Sequence, residues 1–489
     1  MNELDLRLAI GISIVALWRY SWFTLHAVRA GLYAWLEYPA LRQRANLYTK
    51  HPPIAVIVAS YNIDPLITNA VVKALCDAAV NYRGICSIAF TVANSTESTL
   101  IQKLFLRYKS ENVKTFIHFQ GNRGKRVGLA ETLAGLSRHH KTPPAMVALM
   151  DGDSIVPKNI FSHCIGHLMT SPNLGALTVN NVALNVSANP YWMAWMQLRY
   201  RQRHFWMQSQ SFSEELLVLT GRFSCFRGAF AFEEGFIKAL AEDALHHSHL
   251  GSIKMITGDD KSTWLYTVHR GLGMRYLPDI KILCAENEQR PFLEASPKKL
   301  IRWSGNMLRA GHKALFEPGR LSPFMTLMLI DQRISIFTGL YTPTLMFIIL
   351  ILGRTDIALY WILWISCSRM LFSLILGGRS FQLIWPLFLV YNQIIGNVLK
   401  GYVVTHLDVQ GWSQNAQLQG RRRVAWLSHA WFALGALIIF YISLFTVIPS
   451  QRDSISRNYF INNEISTSTS QRNHSGDMYA SPHTYRLGH

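Results

Sequence analysis

Four short apolar runs, at residues 54–60, 86–93, 113–119 and 145–150, are separated by stretches of helical length such as 65–80 and 125–139. This alternation constrains the fold more than any other feature of the chain. Short runs that are apolar throughout, rather than at every second residue, suit strands buried on both faces, as in parallel sheets covered by helices. Repeated strand–helix units build a doubly wound α/β sheet. In such sheets ligands bind beyond the carboxyl ends of the strands, and Asp151-Gly152-Asp153 follows one of those ends.

On both sides of this region the texture changes. Residues 6–41 are apolar with aromatic interruptions and are long enough to cross a bilayer. Arg19, His26 and Arg29 fall inside that stretch, where charge is costly unless it faces protein or water. Arg42 and Arg44 mark a cytoplasmic flank. Further on, residues 334–352, 357–376 and 424–448 read as spans. Residues 381–404 are broken by Asn392, Gln393, Asn397 and Lys400 and read as an interfacial or partly inserted helix, which keeps Arg421, Arg422 and Arg423 cytoplasmic. The polar tail reads as disordered. The expected organisation is an N-terminal membrane segment at 1–45, a cytosolic domain at 50–320, interfacial and transmembrane helices at 321–449, and the tail at 450–489.

Composition agrees with this division. Hydrophobic residues make up 49% and charged residues 16%, too apolar for an ordinary soluble enzyme and too charged for a pure membrane bundle. The net charge of +19 calls for an anionic partner. No nucleic-acid motif accompanies it, so membrane lipid, a diphosphate and an acidic polymer fit better. The six cysteines form no CxxC pair and read as small core residues of a reducing compartment.

The chemistry concentrates in a few motifs. Asp151 and Asp153 flank a glycine that lets the backbone turn so that both carboxylates reach one site. Such a pair can hold Mg²⁺ or Mn²⁺ against diphosphate oxygens, or merely form a polar turn. Asp259 and Asp260 repel each other, so one can carry a raised pKa and act as a proton acceptor. They can equally occupy the first turn of a helix. Arg302 can neutralise a leaving group and Trp303 can stack on a sugar, although the adjacent lysines also suit a helix lying on anionic lipid. Lys125 and Arg126, in a glycine-rich basic loop, can hold phosphates. Gly221, Arg222 and Arg227 belong to a mixed small, aromatic and cationic segment of the kind a sugar acceptor needs, or to a turn between core elements. The histidines at 246, 247 and 249 read as a solvated loop.

Taken in order, these motifs resemble the processive family 2 glycosyltransferases, and among them the alginate (mannuronan) synthases most. The matching residues are Ser60-Tyr61-Asn62 with Asp64, the Asp151–Asp153 pair, Asp259-Asp260 and Arg302-Trp303, and the likeness extends through Asp408 to Trp412. The resemblance implies a GT-A-like transferase domain embedded between transmembrane helices, with a polymer channel. It implies Asp260 as the base, with Asp259 beside it, and Asp151 and Asp153 as ligands of Mg²⁺ or Mn²⁺. It implies donor contacts from Ser60, Tyr61, Asp64, Lys125, Arg126 and Arg302, and acceptor contacts from Gly221, Arg222, Arg227 and Trp303. A gating loop would carry Asp408 and Trp412. The implied donor is GDP-mannuronate and the product β-1,4-mannuronan, made at the bacterial inner membrane by a multi-pass protein with its catalytic domain in the cytosol. A regulatory co-polymerase subunit binding cyclic di-GMP is the implied partner. Another β-linked polymer made from a UDP-sugar, or single transfer to a polyprenyl phosphate, is the alternative. Two departures stand out: Lys299 occupies the place of the family's glutamine, and Glu97 follows the second strand where an aspartate is usual.

Overall fold

The computed structural model describes residues 3–120, 123–248, 250–317, 319, 321–351, 353–408, 410, 429–430, 432–438 and 440–441. The expected tail, Trp412 and much of the expected span at 424–448 lie outside the described residues.

The four apolar runs form β1 (Ile54–Ala59), β2 (Cys86–Val92), β3 (Val113–Phe119) and β4 (Met146–Asp151), all mutually parallel. Their neighbours are β5 (Ser154–Ile155), β6 (Leu174–Leu184) and β7 (Phe223–Arg227), while β8 (Ala244–His247) and β9 (Gly251–Lys254) make a separate ribbon. With β10 (Gly273–Ala285) the main sheet runs β3-β2-β1-β4-β7-β6-β10-β5. Its second half is mixed, because β7 is antiparallel to both β4 and β6. The expected histidine loop is therefore partly strand: His246 and His247 lie on β8, and the His247 ring sits 4.5 Å from that of His312.

Both faces of the sheet are covered, which is why the strand sequences are apolar without alternation. In β1, Ile54, Val56 and Val58 enter one core, shared with helices Pro65–Tyr82, Ser95–Tyr108 and Pro190–Ser211. Ala55 and Ile57 enter the other, shared with helices Lys125–His139, Glu234–Ala241 and Asp259–His269. Several helices start on side-chain caps. Asp64 accepts from the Leu66 N–H at 2.8 Å, Asn94 from Glu97 at 2.8 Å and Asn189 from Trp192 at 3.1 Å.

Among the described residues, three helices are long and apolar enough to cross a membrane: Pro323–Ile351, Thr355–Ser380 and Trp385–Thr405. The third covers most of 381–404, where the sequence suggested an interfacial or partly inserted helix; by length and composition it is a candidate span. Its Asn392, Gln393, Asn397 and Lys400 line an internal cavity, so the polar groups that broke the sequence pattern have an inward face to occupy. Gln393 also donates to the Gly339 carbonyl at 3.3 Å. The N-terminal helix Glu3–Leu32 is not one of these three. Its Arg19 turns inward to Asp331 at 3.0 Å and to Thr338 at 2.8 Å. A π-helical turn, Tyr33–Glu37, follows it, and Tyr33 donates to the Tyr276 carbonyl at 2.6 Å, tying this helix to β10.

Candidate active site

β4 delivers Asp151 to the end of the sheet, and Gly152 then folds the chain back against β1. The Gly152 N–H donates to the Ala59 carbonyl at 2.7 Å. A Cβ on Gly152 would lie 2.9 Å from that oxygen and 3.0 Å from Ser60 Cα, so only glycine fits without displacement. Asp153 follows in the turn, and its carbonyl accepts from Ala285 at 3.0 Å, just past the strand pairing of β10.

Cations meet both carboxylates. Lys125 Nζ bridges Asp151 and Asp259, 2.7 Å from each. Arg222 pairs with Asp153 and reaches Glu286 at 2.7 Å. Glu286 also accepts from Lys299 at 2.5 Å and from the Tyr200 hydroxyl. Burial alone would raise the Glu286 carboxyl, but Arg222 and Lys299 outweigh it and hold the pKa at about 2.

Asp259 and Asp260 open helix Asp259–His269 behind Gly258, whose φ is 87°. The two acids are held in opposite directions. Burial opposes ionisation of Asp259, but the contact with Lys125 prevails and lowers its pKa. Asp260 is raised, first by burial and then by the charge of Asp259, with Lys261 acting against both. Asp151 is also raised, chiefly by burial, with Lys125 opposing. The helix start and the acid pair coexist, as one sequence can serve both.

Ser60, Tyr61, Lys125, Arg126, Asp151, Asp153, Gly221, Arg222, Asp259, Asp260, Arg302 and Trp303 all line one cavity of about 2730 Å³. Within it Tyr61 is 54% exposed, and Arg302 has Asp151 and Asp260 among its charged neighbours. The Trp303 indole lies parallel to Trp195, ring centres 5.9 Å apart, with Lys299 Nζ 5.1 Å from its own ring centre. The cavity continues past Trp303 to Asn392 and Asn397 on the third membrane-length helix.

Some expected residues are committed elsewhere. Asp64 caps its helix and does not line the cavity. Arg227 donates to the carbonyls of Leu174 at 2.6 Å and of Leu168 and Ser171 at 2.5 Å, so its guanidinium pins β7 to the loop before β6 rather than meeting an acceptor. Arg126 lines the cavity, yet it donates to Leu240 at 3.1 Å and to Ala239 and Ser262 at 2.9 Å. Ser60 donates to Glu97 at 2.6 Å. Asp408 does not line the cavity and lies near Arg309, a charged neighbour.

Two contributors escaped the sequence reading. Glu286 is one, a glutamate in no recognised motif, whose partners come from three separate segments of the chain. Gln410 is the other. Its Oε1 accepts from the Ile256 and Thr257 N–H groups at 2.8 and 3.3 Å, and its Nε2 donates to the Lys254 carbonyl at 2.6 Å. The chain leaving the third membrane-length helix is thereby fastened to the loop that precedes Asp259. Only its place beside Asp408 hinted at this.

The sequence signature described as Glycosyltransferase like family 2 matches residues 51–306. The chain belongs to that family. This family 2 glycosyltransferase is 32% identical over 412 residues to "Glycosyltransferase alg8" of Pseudomonas syringae pv. tomato, covering 82% of this chain and 83% of that one. It is 31% identical over 430 residues to "Glycosyltransferase alg8" of Azotobacter vinelandii, covering 86% of each. An N-acetylglucosaminyltransferase of Azorhizobium caulinodans is 22% identical, over 58% of this chain and 67% of that one. Among solved structures, the mannosyltransferase PcManGT of Pyrobaculum calidifontis, in complex with GDP-Man and Mn²⁺, is 14% identical with a TM-score of 0.48, covering 81% of this chain and 98% of that one. The transferase domain is GT-A-like, and three candidate membrane helices follow it.

Proposed function

We propose that this glycosyltransferase polymerises mannuronate from GDP-mannuronate into β-1,4-mannuronan, the alginate backbone, and passes the growing chain into the membrane. The observation that carries this reading is the single cavity joining the two acid pairs to polar faces of membrane-length helices. The 31–32% identity to two alg8 glycosyltransferases supports the donor assignment.

In the proposed reaction Asp260 takes the proton from the acceptor hydroxyl. The freed oxygen attacks the anomeric carbon opposite the diphosphate, with inversion, and the nucleoside diphosphate departs. Arg302 and Lys125 meet its charge. Trp303 supports the acceptor ring, while Asp259 keeps Lys125 in place. Tyr61 and Ser60 border the donor end, and Gly221 lies against Lys125 and Asp151, where a Cβ would make only ordinary contacts at 3.5 and 3.6 Å.

Asp151 and Asp153 fit a divalent ion. Both offer hard oxygens toward the cavity, with side chains 28% and 25% exposed, and Lys125 and Arg222 each keep a second carboxylate, Asp259 and Glu286, when an ion takes their place. Bound Mg²⁺ or Mn²⁺ would supply neutralisation of the diphosphate. The proposal extends to an inner-membrane location with the transferase domain in the cytosol, and to a co-polymerase partner that binds cyclic di-GMP.

The test is nucleotide release by the lipid-reconstituted protein with magnesium, comparing GDP-mannuronate with UDP-glucose, UDP-N-acetylglucosamine and UDP-glucuronate. Turnover of GDP-mannuronate alone, giving a lyase-sensitive polymer, is expected. Turnover of a UDP-sugar in its place would overturn the donor and product assignment.

A further inference from the structure

The cavity wall carries a second feature that the transfer step does not use. Lys261, Arg203, Arg199 and Lys400 line it in succession. Lys261 has Asp260 and Arg203 as charged neighbours, Arg203 adjoins Arg199, and Arg199 adjoins Lys400. The row therefore starts beside the proposed base, follows helix Pro190–Ser211 and reaches helix Trp385–Thr405. Arg199 and Arg203 are one helical turn apart, an arrangement in which like charges destabilise each other.

None of the four has a carboxylate ion pair among the described residues. Arg199 donates to Gln202 at 3.2 Å, lies 5.6 Å from the Trp303 ring centre, and leaves its buried Nε without a partner. Arg203 lies 5.3 Å from the Tyr200 ring centre and 3.1 Å from the Asn181 amide. Lys261 donates only to the Leu217 carbonyl, at 3.2 Å, and Lys400 only to Asn397, at 3.4 Å. The nearby carboxylate of Asp331 is already engaged by Arg19 at 3.0 Å. Burial together with Arg203 pulls the Arg199 pKa down to about 10. Asp260 near Lys261 and Asp331 near Lys400 are the carboxylates at the two ends of the row; holding four cations in a partly desolvated row with so little compensating charge is unfavourable in the empty protein, and a ligand bearing repeated negative charge relieves it. In the proposed reaction the diphosphate end of the donor is served separately by Lys125 and Arg302. The row leads from Asp260 toward the membrane helices, the direction a growing chain must take.

We propose that this row binds successive carboxylates of the acceptor polymer, with Arg199 and Arg203 selecting an acidic sugar chain over a neutral one. The inference rests on the polymerase reading above and adds the residues that read the acceptor's charge.

The test is equilibrium binding, followed by tryptophan fluorescence, of a β-1,4-linked mannuronate hexamer and of the same hexamer after carboxyl reduction. The protein is the full chain in detergent. The acidic hexamer should bind at least about tenfold more tightly than the reduced one, with the gap closing as salt rises. Arg199→Gln and Arg203→Gln should each weaken the acidic hexamer by about tenfold, leave the reduced hexamer unaffected and retain GDP binding, and Arg199→Lys should recover most of the loss. Equal binding of the two hexamers by the unaltered protein, or an unchanged preference in both glutamine variants, would overturn the inference. Displacement of the acidic hexamer by phosphatidylglycerol vesicles, but not by phosphatidylcholine vesicles, would assign the row to lipid phosphate and overturn it too. Donor turnover is read separately. Preference for the acidic hexamer with turnover of a UDP-sugar in place of GDP-mannuronate would sink the donor assignment alone, and turnover of GDP-mannuronate without preference would sink this inference alone.

Discussion

Asp259 and Asp260 stand side by side, yet their surroundings shift their acidities in opposite directions. Lys125 locks the first in its charged form, and burial makes the second a stronger proton acceptor than an ordinary aspartate. Only ionised Asp260 can accept a proton, so activity should fall as pH drops through its pKa. The acid limb of kcat/KM, which reports the free enzyme, should lie above the ordinary aspartate value of about 3.9. Asp260→Asn should lower nucleotide release by about 10² to 10⁴ with donor binding retained; calorimetric titration of donor alongside a pH–rate profile measures both. A variant that keeps the parent's rate and acid limb would remove Asp260 from the base role. That the acid pairs and Arg302-Trp303 meet at one cavity could be anticipated because each is a short contiguous run of residue types suited to one site. Arg227 was misread for the same reason. Its sequence neighbours looked right for an acceptor, but three carbonyls from another segment claim its guanidinium. Nothing local in the sequence discloses them.

At the level of elements, β1 to β4 were readable because burial on both faces leaves an uninterrupted apolar run. β10 was not, since Pro278 and Asp279 interrupt it and its register with β6 shifts between Leu277 and Lys281. The antiparallel β7 was hidden in a segment read as an acceptor contact or a turn between core elements. The residue just beyond β10 matters as much as the strand. Glu286 joins the end of β10 to Arg222 before β7, to Tyr200 on the long helix behind the sheet, and to Lys299 one turn before Trp303. Glu286→Gln should cost about 3 kcal/mol, because two buried cations lose their shared anion. The folded-state pKa of Glu286, at about 2, lies below the ordinary glutamate value of about 4.3. Its contribution is therefore complete above that ordinary value and is lost as pH falls toward 2. Denaturant unfolding in detergent should show a wide gap between parent and variant at pH 7 that narrows on acidification. A gap independent of pH would mean that the charge of Glu286 is not what stabilises the fold.

For the whole molecule, membrane and catalytic parts were separable in the sequence by texture, but how they are joined was not. The polar residues of helix Trp385–Thr405, which suggested an interfacial or partly inserted helix, line the cavity. The join itself is made partly by one side chain, Gln410, which grips three backbone groups of the loop from Lys254 to Thr257. Gln410→Leu should reduce turnover by about tenfold or more through misplacement of the nearby acid pair, while fluorescence-detected thermal unfolding of the domain stays near the parent's. Unchanged turnover would show that the loop holds its shape unaided. Because the loop and the chain beyond Thr405 share these bonds, they form one thermodynamic system. Any ligand that favours one shape of the loop changes how firmly that chain is held, and anything that pulls on the chain changes the ligand's affinity by the same free energy.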